Sequence, residues 1–194
     1  MSTTLPHPHA MTADATARRP FWQVRELVML GVFSAAAKVS TLVVALIGGG
    51  MNPVSLMAKN AVFTTLLLVL LFKIRKPGTL SLFMAVNFMI SLLLLGGSVT
   101  LLVPLIIAAA VAEGATGLSG GMRKPWGPFI AAGVYDLVNK ALSLGMSWLV
   151  ARENPALIAV VVPFVLFGYL GSLLGLFTGW KAVKELRRAG LAAN

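Results

Sequence analysis

Six apolar runs, each close to the length of a membrane-crossing helix, follow one another along this chain and leave it few folds to choose from. A helix needs about 20 predominantly apolar residues to cross about 30 Å of hydrocarbon. Backbone groups in lipid must also be satisfied within their own element, which favours helices over open sheets. The runs cover roughly 23–47, 54–73, 79–96, 99–118, 127–150 and 155–182. Gly48-Gly49-Gly50 with Asn52-Pro53 stops the first, Pro77-Gly78 follows the second, and Gly96-Gly97 closes the third. The pattern predicts an all-α membrane protein, a six-transmembrane-helix bundle.

Composition removes the main alternatives. Hydrophobic residues make up 58% of the 194 and charged residues 11%, against about 25% charged in soluble domains. There is no cysteine, which excludes a disulfide scaffold, a thiol nucleophile and a thiolate metal site. The two histidines, His7 and His9, both lie in a polar N-terminal stretch, so a His-based triad or metal centre is not expected. No G-x-x-x-x-G-K-S/T loop or H-E-x-x-H occurs. The expectation is a protein that is not an enzyme and carries no cofactor and no metal.

The net charge of +10 is placed rather than spread. Arg18, Arg19 and Arg25 precede the first run, and Lys73, Arg75 and Lys76 follow the second. Arg123 and Lys124 follow the fourth, and Lys181, Lys184, Arg187 and Arg188 end the sixth. These are twelve basic residues on one side, against Arg152 beside Glu153 on the other. The positive-inside rule accounts for that bias with no nucleic-acid partner, the lipid bilayer being the medium. It predicts both termini in the cytoplasm and a multi-pass protein of a bacterial or archaeal cytoplasmic membrane. Trp22, Trp126, Trp148 and Trp180 fall at run ends, as an aromatic belt would. Residues 1–21 read as a disordered cytoplasmic tail, 22–188 as the six-helix domain and 189–194 as a C-terminal tail.

Polar side chains inside the runs are the informative exceptions, since an ionised group at mid-bilayer costs about 2.5–3.5 kcal/mol. Lys38 lies 13 residues beyond Arg25, about 20 Å along a helix. Lys59 and Asn60 come soon after Asn52-Pro53, Asn87 is mid-way along the third run, and Tyr135, Asp136, Asn139 and Lys140 cluster on the fifth. Asp136 and Lys140 are spaced to pair on one helix face. Four runs thus bring polar groups to one level, on the external side. Together with Asn52, these residues form the expected substrate site. Its three lysines against one aspartate leave an excess of about two positive charges, fit for a carboxylate or phosphate. The competing reading has the lysines snorkelling to the interface. Glu113, near Arg123 and Lys124, is expected to serve structure or coupling.

Gly171, Gly175 and Gly179 make a small-residue stripe on the sixth run, and Gly31, Ser34 and Ala35 a similar face on the first. Such stripes let another backbone approach closely. That backbone belongs either to the same bundle or to a second membrane protein docked there. Met51, Met57, Met84, Met89 and Met146 read as adaptable packing. The two halves of the chain share no inverted repeat of the kind self-sufficient carriers show. The combination points to a binding subunit driven by other chains.

The run Val24-Arg25-Glu26-Leu27-Val28-Met29-Leu30-Gly31-Val32-Phe33-Ser34-Ala35, then Asn52-Pro53 with Lys59, then Lys73-Ile74-Arg75-Lys76-Pro77-Gly78, resembles the substrate-binding S components of energy-coupling factor (ECF) transporters. The likeness is to the Trep_Strep, or MptS-like, subfamily and covers about residues 22–185. Gly96-Gly97 and Ile107 with Ala112-Glu113-Gly114 fit the same pattern. The resemblance implies capture of a vitamin-like micronutrient or a metal chelate from outside. It implies coupling to a transmembrane T component and two cytoplasmic ATPases. It also implies that small residues on the first helix contact the T component; the family's Ala-x-x-x-Ala is replaced here by Gly31-x-x-x-Ala35. The alternative is a non-transport adaptor or assembly protein that acts through the glycine-rich face of the sixth helix.

Overall fold

The computed structural model describes residues 21–49, 52–95, 102–151 and 155–190. They form six helices: α1 (Val24–Ile47), α2 (Pro53–Lys73), α3 (Thr79–Leu95), α4 (Leu102–Leu118), α5 (Gly127–Ala151) and α6 (Pro155–Arg188). The apolar runs therefore mark the helices to within a few residues, except that α6 continues six residues past the expected end as a polar turn-and-a-half. Of the expected tails at 1–21 and 189–194, residues 1–20 and 191–194 lie outside the described residues, as do the Gly96-Gly97 stop and the first residues of the fourth run.

Local chemistry sets the helix ends. In α1, Gln23 and Glu26 form a capping box, with the Gln23 N–H donating to Glu26 Oε2 at 2.9 Å. Asn52 caps α2: its Oδ1 accepts from the Ser55 N–H at 2.7 Å, and Pro53 follows at the first helical position. The Asn52 side-chain amide donates to the Gly48 carbonyl, and Ser55 Oγ donates to the same oxygen at 3.0 Å, which closes the α1–α2 turn. Asn52, expected at the substrate site, is thus a helix cap with both amide atoms engaged. Gly78, at φ +86°, takes the left-handed conformation that turns the chain from α2 into α3.

The helices pack as a closed ring in the order α1, α2, α6, α5, α4, α3 and back to α1, and α2 also meets α5 across the middle. α2 supplies the largest part of the core through Leu67, Leu68, Leu70, Leu71 and Phe72. Its contact with α6 is the most extensive in the molecule. The glycine stripe explains why. A Cβ on Gly175 would stand 2.6 Å from the Ala61 carbonyl oxygen, one on Gly179 would stand 2.9 Å from Leu68, and one on Gly171 would overlap the Met57 backbone. Thr65 Oγ1 adds hydrogen bonds across this contact, to Thr178 Oγ1 at 2.6 Å and to the Gly175 carbonyl at 3.1 Å. Gly171, Gly175 and Gly179 are therefore covered by α2 of the same chain and offer no face to a second protein, a correction to the docking role expected of them.

Much of the remaining surface is apolar, with Val28, Val32 and Leu46 on α1 and Leu166, Leu170 and Phe177 on α6 all exposed. α1, α2 and the Ala159–Arg188 part of α6 are long and apolar enough to cross a membrane. α3 and α4 are apolar but shorter, at 17 residues each. α5 has the length, and its polar residues interrupt its apolar character. These features mark a membrane-embedded, all-helical protein.

Candidate functional site

A cavity of about 290 Å³ lies inside the ring, toward the end where α1 finishes and α2 begins. Five helices line it, and each contributes for a reason visible in its sequence. α1 sends in Lys38, one turn after the buried Ser34 and next to the buried Ala37. α2 sends in Asn60 and Phe63, which lie on one face at a spacing of three. α3 contributes Asn87 and Ser91, one turn apart, with Met84 and Phe88 beside them. α4 supplies only the apolar Pro104 and Leu105. α5 contributes Tyr135, Asp136, Asn139, Lys140 and Ser143, two turns of a continuous polar face.

The cavity thus gathers seven of the nine residues expected at the substrate site: Lys38, Asn60, Asn87, Tyr135, Asp136, Asn139 and Lys140. Lys59 does not line it, and Asn52 is at the helix cap described above. Neighbouring positions on a helix are turned by 100°, so with Asn60 facing inward Lys59 falls on another face. The charge of the cavity is correspondingly smaller than expected. Lys38 and Lys140 stand against Asp136, an excess of one positive charge.

The charged groups do not pair as their spacing predicts. Among the described residues, no ion pair joins Asp136 to Lys140; the ion pairs there are Lys76 with Glu26 and Arg188 with Glu185. Asp136 and Lys140 are instead each held by a neutral partner on α2. Thr64 Oγ1 donates to Asp136 Oδ2 at 2.8 Å, and Lys140 Nζ donates to Asn60 Oδ1 at 2.7 Å. The Asn60 amide nitrogen donates in turn to the Leu56 carbonyl at 2.8 Å, so both ends of the Asn60 amide make a hydrogen bond. Ser172 of α6 lies beside the same Asp136 carboxylate, which is 4% exposed.

Other polar atoms around the cavity are left without partners. Asn87 is 3% exposed and gives its amide hydrogen to the Phe83 carbonyl at 3.1 Å, but its Oδ1 has no hydrogen bond among the described residues. Among the described residues the Lys38 ammonium, the Tyr135 hydroxyl and the Asn139 side-chain amide also lack a protein partner. Buried polar groups are ordinarily hydrogen-bonded, because leaving one unmade costs about 1–3 kcal/mol. A ring of cation, hydroxyl and amides around one hollow is what a small polar solute with an acidic group would satisfy. Sequence reasoning missed Thr64, Ser91 and Ser143. Each lies three or four residues from an expected site residue on the same helix, so helical spacing would have found them.

The other expected positions have structural surroundings. Ser34, placed with the docking face of α1, is 0% exposed and points into the core, its hydroxyl unpartnered. Ala35 is exposed and a Cβ at Gly31 would meet nothing within 4 Å, so these two do lie on an open face. Glu113 is not neutralised by Arg123 or Lys124. Its Oε1 accepts from the Ser81 N–H at 2.9 Å and so caps the start of α3, where a carboxylate complements the helix dipole.

The ring of apolar helices defines a class, a membrane-embedded helical protein with a partly polar internal cavity. No family model, no curated protein and no solved structure matches this chain.

Proposed function

We propose that this protein is the solute-capturing membrane subunit, the S component, of an ECF-type importer. The reading rests on one observation above all: a cavity of about 290 Å³ lined by polar groups from several helices, of which the buried Asn87 Oδ1 has no partner among the described residues. The excess of one positive charge favours a solute with a single carboxylate or phosphate over a doubly charged one. In this reading all six helices lie across the membrane and the basic end faces the cytoplasm, as the positive-inside bias indicates. The cavity then lies toward the outer surface. α3 and α4, being short, would lean on their neighbours rather than span by themselves.

Such a subunit has no engine of its own, and the chain lacks a nucleotide-binding loop. A transmembrane T component and two cytoplasmic ATPases would supply the work. The open face of α1 around Gly31 and Ala35 is the surface for the T component. The adaptor reading loses support because its glycine face is occupied by α2. Native mass spectrometry of the gently purified protein tests the proposal. A single retained solute of vitamin size, lost in Lys140→Met, supports it. Absence of any retained or added micronutrient ligand, together with no co-purifying T component or ATPase, overturns it.

A further inference from the structure

The opposite end of the bundle holds a second charged site that the solute cavity does not use. Arg75, in the loop after α2, and Arg187, near the end of α6, both lay their guanidinium groups on the ring of Phe72, with Cζ 5.5 and 5.3 Å from its centre. Neither meets a carboxylate among the described residues, because Glu26 is taken by Lys76 and Glu185 by Arg188. Nε and Nη2 of Arg75 and Nε of Arg187 are shut off from water and have no acceptor among the described residues. Burial, and then the neighbouring Arg187 charge, hold the Arg75 guanidinium below its ordinary range. Two like charges brought together without a counter-charge call for an anion.

An open groove of about 390 Å³ runs past Arg187, lined also by Trp180, Val183, Lys184 and Arg188. Trp180 stacks on Trp126 with ring centres 6.5 Å apart, and Phe129 packs against both. Paired tryptophans of this kind belong at the depth of lipid headgroups. One turn further into α6 the exposed surface becomes apolar, with Leu173, Leu174 and Phe177.

We propose that Arg75, Lys184 and Arg187 form a binding site for the phosphate of an anionic phospholipid, whose acyl chains lie along the apolar face of α6. A guanidinium fork suits the oxygens of a phosphodiester, and basic pockets at this level take anionic headgroups. The continuity of the cationic groove with the apolar face favours a lipid over free phosphate. This site stands whether or not the cavity binds a transported solute.

The test is native mass spectrometry of the full chain in neutral detergent, titrated with phosphatidylglycerol or phosphatidylcholine. Wild type is expected to prefer phosphatidylglycerol by about tenfold, the worth of one charge-assisted hydrogen bond. The double variant Arg75→Gln with Arg187→Gln should lose that preference. Lys184→Gln, at an exposed position that the fold does not need, should reduce it several-fold. Equal binding of the two lipids by wild type overturns the proposal, as does an unchanged preference in Lys184→Gln and the double variant. Displacement of the lipid by millimolar inorganic phosphate would reassign the site to the free ion. Unchanged lipid binding with loss of a co-purifying protein would give the cluster to an acidic partner segment; either result overturns the lipid assignment.

Discussion

Lys140 on α5 donates its ammonium to Asn60 Oδ1 on α2 at 2.7 Å, although 80 residues separate them in the chain. That bond ties α5 to α2 at the edge of the polar cavity, which both residues line. Gly168 leaves room for it, since a Cβ there would stand 3.3 Å from both the Asn60 amide nitrogen and Lys140 Cε.

Removal of the cation should therefore act on binding first. Lys140→Met is expected to weaken binding of an acidic solute by at least tenfold, the scale of one charge-assisted hydrogen bond. Asn60→Leu should also reduce binding, by leaving the ammonium without its acceptor. Ligand-dependent thermal shift across a micronutrient panel checks both, with size-exclusion profiles reporting that the fold is kept.

The Thr64–Asp136 hydrogen bond should matter to stability. Thr64→Val keeps the shape of the side chain and removes the donor from a buried carboxylate. The expected loss is about 1–3 kcal/mol. A lowered Tm in detergent is the readout, and an unchanged Tm would show that the bond does not hold the fold.

The two glycine faces should respond in opposite ways. Gly175→Leu would drive a side chain into the α2 backbone and is expected to lose folded protein, at a cost of about 1–3 kcal/mol or more from overpacking. A Cβ at Gly31 meets nothing within 4 Å, and Gly31→Leu should change stability by no more than about 0.5 kcal/mol. If α1 is the docking face, Gly31→Leu should instead abolish co-purification of a T component. A reversed pattern would restore the sixth-helix adaptor reading.

Topology can be mapped directly because the chain has no cysteine of its own. Single cysteines at Pro77 and Arg123 should react with an impermeant maleimide only after the cells are opened. A cysteine at Gly49 should react in intact cells. Labelling of all three from outside would remove the inside-facing assignment of the basic end.

The sequence by itself determined the helices and where they stop. Asn52-Pro53 and Pro77-Gly78 act through backbone geometry within a few residues, so their effect is legible locally. It also determined that polar groups on several helices share a level, because depth along a helix is a simple count. Only the tertiary structure decided which of those groups meet. Asn60 reaches the cavity while the adjacent Lys59 does not, and Asp136 takes Thr64 rather than Lys140. The glycine stripe announced a close backbone approach without naming the backbone, which turned out to be α2. The reason is physical. Helices that are apolar nearly all round carry little information about which face turns inward. Their rotation is set by close packing against neighbours, such as α6 seated on Ala61 and Thr64, and that packing exists only once the chain has assembled.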